Sequence, residues 1–159
     1  FFWCSRCSQY TKKSTSQFVQ VLQALCIRKG MSIKPMFESD FYHDGRGPEL
    51  QKVKWKSNGR VLAGFEYFNP DDEYISQNLR HLSLEGVEAF SMSSEEVHGN
   101  ILASGNSKSA IFEVNDSKWF ASFNQRHLEG CKHYQIMFYD EIYDVICRVI
   151  IPGRGQLNA

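Results

Sequence analysis

The sequence predicts an α+β fold: a mainly antiparallel sheet of about six to seven strands, with one or two helices packed on it. Two observations lead to this prediction. Several short β-prone runs follow one another with only turn residues between them, which is typical of sequentially adjacent antiparallel strands. Apolar residues recur at helical spacing in two places, near residues 16–29 and near residues 115–130, and this spacing predicts helices that cover one face of the sheet.

The composition limits the class of protein. The chain has 159 residues, of which 42% are apolar and 23% are charged, and its formal net charge is zero. These values are typical of an ordinary globular domain and exclude collagen-like, disordered and disulfide-scaffold proteins. No apolar run approaches the roughly 20 residues of a membrane-spanning helix. A nucleic-acid binder needs a basic excess, which is absent. We therefore expect neither a membrane nor a nucleic-acid partner.

The cysteines predict a reducing compartment. Their number is five, which is odd, and no secretory signal accompanies them. A chain of this length folds without disulfides, so we expect free thiols and a cytoplasmic protein. Cys4 and Cys7 have the spacing of a zinc or redox pair. No second pair of ligands follows nearby, and we assign them no function.

Residues 1–30 are predicted to be a basic N-terminal extension, because they contain five basic residues and no acidic one. Within them, apolar residues at helical spacing predict an amphipathic helix over 16–29 that ends at Gly30. Three interpretations remain open: a transit peptide, a basic arm that docks on the acidic remainder, or sequence upstream of a natural start at Met31. Residues 31–159 are predicted to form a single α+β domain.

The clearest local signal is a β-hairpin over Lys52–Phe68. Val53 and Trp55 alternate with lysines, Asn58-Gly59 follows, and a second β-prone run comes next. Asn-Gly between two such runs favours a tight turn, because both residues tolerate positive φ. The lysines indicate that the first strand is solvated on one face or lies at the edge of a sheet.

The middle of the chain predicts further strands. Asn69–Glu73 has the residues of a helix cap or turn, followed by at most a short helix, and lacks the ligand spacing of a calcium loop. Residues 79–92 predict two strand segments with a break at Glu85-Gly86. Residues 101–103 and 110–114 predict two more strands.

A second helix is predicted between the last of these strands and Gly130. One of the residues 115–117 caps it, and its apolar stripe includes Trp119 and Phe123. We expect both aromatic side chains to be buried against the sheet.

Two β-prone runs, His133–Tyr139 and Ile142–Ile151, end the fold and are predicted to pair through a connection at Asp140-Glu141. The expected register gives one apolar face and one mixed face, which predicts a buried face and a partly solvated one. The apolar face carries Tyr134, Ile136, Phe138, Tyr143, Val145 and Cys147, and the mixed face carries His133, Gln135, Met137, Asp144 and Arg148.

His127, Cys131 and His133 are zinc-ligating residue types within seven positions of one another. The predicted helix ends between His127 and the other two residues, and no fourth ligand is evident. We therefore predict that they bind no structural metal, and we expect no cofactor.

Asp140, Glu141 and Asp144 form an acidic cluster at the predicted hairpin tip. Paired carboxylates perform acid–base chemistry when burial separates their pKa values, but at a hairpin tip we expect them to be solvated. Cys147 and His133 fall on opposite faces of the predicted hairpin, so they cannot act together as nucleophile and base. Cys147 is predicted to be a core residue.

The C-terminal segment resembles uncharacterised small bacterial α+β proteins of the integron gene-cassette and immunity-like kind. The resemblance starts at Trp119 and includes, less clearly, Leu79–Met92. It implies a small α+β fold and supplies no catalytic residues. The residues that carry it are Trp119, His127-Leu128, Cys131, His133-Tyr134, Phe138-Tyr139-Asp140-Glu141 and Asp144-Val145-Ile146-Cys147.

These observations predict a soluble protein that acts by binding a protein partner, a second copy of itself or a small ligand, and the resemblance implies a bacterial accessory protein encoded by a mobile-element cassette. No nucleophile elbow, nucleotide loop or zincin motif is present in the sequence, so the catalytic and ligand-binding residues remain unassigned. The alternative is a small enzyme that uses carboxylates or histidines of the C-terminal hairpin. Convergence of acids and histidines at one concave site would favour the alternative.

Overall fold

The computed structural model describes residues 31–56, 59–99 and 107–158. Residues from Met31 onward belong to one compact unit. The predicted helix over 16–29, the Cys4–Cys7 pair and the predicted strand over 101–103 lie outside the described residues. Nine strands are described: β1 (Ser32–Met36), β2 (Glu49–Trp55), β3 (Leu62–Phe68), β4 (Arg80–Glu85), β5 (Ala89–Ser94), β6 (Ile111–Asn115), β7 (Lys132–Met137), β8 (Glu141–Cys147) and β9 (Val149–Arg154).

The strands form two sheets that pack face to face. The five-stranded sheet has the order β1-β6-β7-β8-β5, and the four-stranded sheet has the order β2-β3-β4-β9. Every neighbouring pair of strands is antiparallel. The fold is therefore an almost entirely antiparallel β structure, and the predicted α+β class, one sheet with helices packed on it, is wrong.

Helix is scarce among the described residues because the predicted helix over residues 115–130 does not form as one unit. The described segment contains one α-helical turn, α1 (Lys118–Ala121), and a separate 3₁₀ turn, Gln125–His127. The Ser122 hydroxyl donates to the Trp119 carbonyl at 2.7 Å, and the Asn124 side chain caps the 3₁₀ turn. These local side-chain bonds compete with continued helix and divide the segment.

The apolar spacing of that segment also misplaces one aromatic side chain. Trp119 is half-buried and packs on the sheet, whereas Phe123 is 36% exposed. Because the helix ends before Phe123, the side chain does not continue the stripe that Trp119 begins. The prediction that Phe123 is buried against the sheet is wrong.

The chain passes from one sheet to the other twice at the same corner, between β4 and β5 and between β8 and β9. β4 pairs with β9 in one sheet, and β5 pairs with β8 in the other. Backbone bonds continue through the corner: the Arg148 N–H donates to Glu85 O, and the Glu88 N–H donates to Ile146 O, each at 2.9 Å. Gly86 adopts φ +62° there. The predicted break at Glu85-Gly86 is confirmed, but the run predicted as one strand over Ile142–Ile151 is divided at Arg148.

The predicted hairpin over Lys52–Phe68 is confirmed. β2 and β3 pair antiparallel, and β2 is an edge strand of its sheet. Gly59 adopts φ +67° in the connection, in agreement with a turn that needs positive φ. Ser57 and Asn58 lie outside the described residues. Asn69–Glu73 forms turns without a helix.

An aromatic-rich core fills the space between the sheets. Phe65 on β3 contacts Tyr143 on β8 at a ring-centroid distance of 4.6 Å and Phe138 at 5.1 Å. Phe41, from the connection between β1 and β2, packs edge-on to Tyr67 at 4.8 Å. The described residues contain no helix with the length and apolarity needed to cross a bilayer.

The β7–β8 register is the predicted one, and the mixed face is partly solvated, since Arg148 is exposed and Asp144 is partly exposed. Tyr134 lies opposite Val145 and Ile136 lies opposite Tyr143, and these side chains enter the core between the sheets. On the other face, His133 and Gln135 are also buried. A second apolar cluster covers part of this outer face; it consists of Leu128, Cys131 and Ile146, with Ala89, Trp119 and Phe120 packed against them. The part of the outer face around His133 and Gln135 is therefore a buried environment in which polar side chains need partners.

Candidate functional site

Buried polar side chains converge on the outer face of the five-stranded sheet. The His133 ring lies between a hydroxyl and a carboxylate: its Nδ1 is 2.8 Å from Ser117 Oγ, and its Nε2 is 3.0 Å from Asp144 Oδ1. The second oxygen of Asp144 lies 2.9 Å from His98 Nε2. We call these four residues the polar relay.

The local chain geometry places Ser117 at one end of the relay. β6 ends at Asn115, Asp116 adopts φ +55°, and Ser117 begins α1 as its N-cap. Asp is one of the few residues that tolerate a left-handed conformation. Ser117 Oγ accepts a hydrogen bond from the Phe120 N–H at 3.1 Å, which confirms the predicted cap. The tight strand-to-helix turn thus fixes the hydroxyl close to His133.

The pairing of β7 and β8 places the carboxylate at the other end. Gln135 lies directly opposite Asp144, and His133 lies diagonally across from it, so both side chains reach the same carboxylate. Gln135 Nε2 donates to Asp144 Oδ1 at 3.3 Å. His98 follows the 3₁₀ turn Glu95–Val97 and approaches from beyond β5.

The hydrogen bonds determine the charge of Asp144. Burial disfavours its charged form, but the hydrogen bonds from His133 and His98 favour that form more strongly. The pKa of Asp144 is consequently lower than its ordinary value. Asp144 is therefore a carboxylate at neutral pH, and it accepts hydrogen bonds without donating any.

An ionised Asp144 also fixes the proton on His133. Nε2 must carry the hydrogen that it donates to the carboxylate, so in the neutral ring Nδ1 is an acceptor. The Ser117 hydroxyl then donates its proton to Nδ1. The relay is a directed chain, from the Ser117 hydroxyl through the imidazole to the carboxylate.

The Ser117 end of the relay faces a cleft of about 500 Å³. Its walls come from the end of β6, α1, the 3₁₀ turn and the start of β7. Apolar groups from Val114, Phe120 and Cys131 line it, together with the polar groups of Ser117 and His133. The Trp119 ring packs on the His133 ring at a centroid distance of 4.9 Å. Asp144 does not line the cleft and acts on His133 from behind.

The structure separates the residues of the predicted zinc-ligating set. His127 is exposed on the 3₁₀ turn, Cys131 is buried in the second apolar cluster, and His133 belongs to the relay. In the described part of the chain, no three His, Cys, Asp or Glu side chains form a group suited to a metal ion. The absence of a bound metal stays a prediction.

The predicted acidic cluster is divided as well. Asp140 is exposed, and strand alternation puts Glu141 and Asp144 on opposite faces of β8. Burial, together with the nearby Asp140 charge, raises the pKa of Glu141. Cys147 lies in the core, as predicted, where burial raises the pKa of its thiol to about 12.

Sequence reasoning placed His133, Gln135 and Asp144 on one face but did not predict the hydrogen bonds among them. It took this face to be partly solvated, and it considered Ser117 only as a helix cap. His98 was missed altogether. Opposite polar residues on two paired strands were the available signal, whereas nothing local connects Ser117 or His98 to them.

No protein-family model, curated protein or solved structure matches the chain.

Proposed function

We propose that the protein binds a small molecule in the cleft beside Ser117 and His133. The observation that carries the proposal is the position of these two polar groups, which line the cleft while Asp144 holds the imidazole from behind. Small-molecule sites are concave and largely apolar, with a few polar groups whose orientation is fixed. The cleft volume lies in the range of about 300–1,000 Å³ that is usual for such sites.

The lining indicates the chemistry of the ligand. Lys118 lines the cleft and has no carboxylate partner in the described part of the chain, whereas Lys132 pairs with Glu113 at 3.0 Å. A carbonyl or carboxylate group on the ligand matches the Lys118 ammonium, which can donate to it, since the Ser117 hydroxyl donates its one proton to His133. The apolar walls match a short hydrocarbon or aromatic part. We therefore propose a small carboxylate, ester or amide.

Ligand-observed NMR with the full chain tests this proposal. Acetate, benzoate, N-acetylglycine and glucose are the probes, each at about 10 mM, where a ligand with a Kd of about 1 mM is close to saturation. We expect saturation transfer to benzoate and N-acetylglycine. Ala121 is exposed and lines the cleft, so Ala121→Phe fills the cleft and abolishes the signal.

Glu129→Phe is the matched control, because Glu129 is exposed and does not line the cleft. This variant retains binding. An absence of transfer to every probe, or transfer that persists in Ala121→Phe, would contradict the proposal.

A second candidate function is catalysis by the histidine and carboxylate of the C-terminal hairpin. The pairing of His133 with Asp144, next to the cleft, favours it specifically. A cytoplasmic accessory role in a bacterium, encoded by a mobile-element cassette, is also part of the proposal and depends on the resemblance of the C-terminal segment alone. Separation of a binding role from a catalytic one requires a chemical readout at the relay.

A further inference from the structure

We propose that Ser117 is a nucleophile that accepts acyl groups from small carboxylic esters, with His133 as its general base and Asp144 as the positioning residue. This inference rests on the proposed function, because the ester must occupy the same cleft. No sequence motif identified Ser117, His133 or Asp144 as residues of acyl transfer.

Ser117, His133 and Asp144 lie at the distances that a nucleophile, its base and an orienting group need. A nucleophile and its base act together when their heavy atoms lie within about 2.6–3.2 Å and a third group orients the base. Ser117 Oγ and His133 Nδ1 are 2.8 Å apart, and His133 Nε2 and Asp144 Oδ1 are 3.0 Å apart. The ring is turned so that Nδ1 faces the hydroxyl. Both ring nitrogens are competent bases, and the carboxylate selects the tautomer whose free lone pair faces Ser117.

The hydrogen bonds of Ser117 leave one lone pair of its oxygen free. A hydroxyl has one proton to donate and two lone pairs. Ser117 donates to His133 and uses one lone pair to accept from the Phe120 N–H. The other lone pair remains for a bond to a carbonyl carbon. Ser117 is 6% exposed, and it lines the cleft.

The surroundings of His133 stabilise its protonated form. When Ser117 gives up its proton, His133 becomes an imidazolium whose Nε2 faces the Asp144 carboxylate. The negative carboxylate stabilises this cation. His98 holds the second carboxylate oxygen at 2.9 Å, which keeps Asp144 in position.

The reaction balances without a cofactor. Ser117 Oγ forms a bond to the ester carbonyl carbon, and its proton moves to His133 Nδ1. The bond from that carbon to the alkoxy oxygen breaks, and this oxygen takes the proton and leaves as an alcohol. Water then attacks the acyl carbon and gives a proton to Nδ1. Ser117 Oγ leaves, recovers the proton, and a carboxylic acid is released.

Covalent labelling of the full chain tests the nucleophile directly. Diisopropyl fluorophosphate and p-nitrophenyl acetate are the probes, and peptide mass spectrometry locates the adducts. We expect one phosphoryl adduct, on Ser117, and an acetyl adduct at the same residue under single-turnover conditions. This readout uses the unaltered chain, which matters because Ser117 also caps α1. Ser117→Ala removes both adducts, whereas Ser122→Ala, at the other end of the same helical turn, retains them.

Kinetics test the base and the positioning residue. Loss of a general base typically lowers the rate by about 100-fold or more, and we expect this fall in p-nitrophenyl acetate hydrolysis for His133→Ala. For Asp144→Asn we expect a lower rate and a pH–rate midpoint moved to lower pH, because the variant lacks the negative charge that favours imidazolium. In the described residues, Asp144 faces His133 directly and His98 faces it through this carboxylate, while Asp116, Lys118, Cys131 and Lys132 line the same cleft.

The outcomes distinguish this inference from the binding proposal. Adducts on residues other than Ser117, or no adduct, overturn the inference. An Asp144→Asn variant with an unchanged pH–rate midpoint overturns the positioning role. The NMR signals of benzoate in the unaltered chain and in Ala121→Phe decide the binding proposal separately, since they require no reaction at Ser117.

Discussion

Asp144 is the residue on which the polar relay depends, since three side chains donate to its two oxygens. An asparagine at this position offers one acceptor oxygen in place of two. A buried donor without its partner costs about 1–3 kcal/mol. We therefore expect Asp144→Asn to lower the free energy of unfolding by about this amount near pH 7, measured by urea denaturation. Asp140→Asn is the control, because Asp140 is exposed and its change should cost less than about 0.5 kcal/mol.

The difference in stability between the unaltered protein and Asp144→Asn is expected to depend on pH. The pKa of Asp144 is lower in the folded protein than its ordinary value of 3.8, so the unfolded chain takes up the proton first as the pH falls. The stability that Asp144 contributes is therefore fully present well above pH 3.8 and is lost as the pH falls below it. Urea titrations of the unaltered chain and Asp144→Asn should give free energies of unfolding that converge in acid. A difference that stays constant, or grows, below pH 3.8 would contradict this account.

At this scale the sequence predicted part of the site. Alternation along β7 and β8 was sufficient to place His133 and Asp144 on one face, since the side-chain period of a strand is two. It was insufficient to place Ser117, because the approach of the β6–α1 turn to β7 is a tertiary contact. The burial of His133 was also unpredictable, since it depends on the packing of Trp119 over its ring.

Among the elements, the segment from Ser117 to Gly130 shows why helical spacing alone is a weak indicator. Its apolar residues have helical periodicity, but Ser122 and Asn124 satisfy backbone groups locally and end the helix after one turn. The glycines that mark the turn and the break between predicted strands were more dependable indicators of the structure. Gly59 lies where the chain reverses between β2 and β3, Gly86 lies where it changes sheet, and both adopt positive φ.

Two phenylalanines provide a matched test of the revised packing. Phe65 is completely buried between the sheets, whereas Phe123 is 36% exposed and its ring lies 5.2 Å from the Trp119 ring. Phe65→Ala should cost about 3–5 kcal/mol through lost burial and a cavity. Phe123→Ala should cost about 1 kcal/mol, the size of one aromatic pair. Equal costs in urea denaturation would show that α1 and the 3₁₀ turn bury Phe123 after all.

Two glycines, one of them Gly64 within β3, allow a second comparison of variant stabilities. It adopts φ +152°, and a Cβ at this position would lie 2.0 Å from the Leu82 carbonyl oxygen on the neighbouring strand. Since backbone cannot move aside as a side chain can, Gly64→Ala should displace β3 from β4 and cost more than about 3 kcal/mol. Gly99 has open space around it, and Gly99→Ala should leave the melting temperature nearly unchanged. A Gly64→Ala variant as stable as the Gly99→Ala variant would contradict the described β3–β4 contact.

For the whole molecule, the antiparallel character was predictable and the number of layers was not. The sequence shows short β-prone runs with turns between them, but no local feature distinguishes a strand that stays in its sheet from one that crosses to another. β8 and β9 lie in different sheets although Arg148 alone separates them. The change of sheet is determined by strand pairing. The β4–β5 connection changes sheet beside the β8–β9 connection, and backbone hydrogen bonds join the two connections.

The two-layer arrangement also bears on metal dependence. A chain of this size with a continuous aromatic core has enough buried surface to fold without a structural ion. Of the predicted zinc-ligating residues, His133 has both ring nitrogens engaged, by Ser117 and by Asp144, so neither is available to a metal. His127 is exposed on a separate 3₁₀ turn. We therefore expect excess EDTA to change the melting temperature of the full chain by less than about 2 °C.

Elemental analysis of the full chain completes this test, because a structural zinc contributes folding free energy directly. If zinc is present, two single variants locate it. Loss of the zinc in Cys131→Ser, together with a fall in melting temperature on chelation, would overturn the prediction for His127, Cys131 and His133. Loss in Cys4→Ser with retention in Cys131→Ser would place the ion elsewhere in the chain. His133 would then stay hydrogen-bonded to Ser117 and Asp144 and would not be a ligand of that ion.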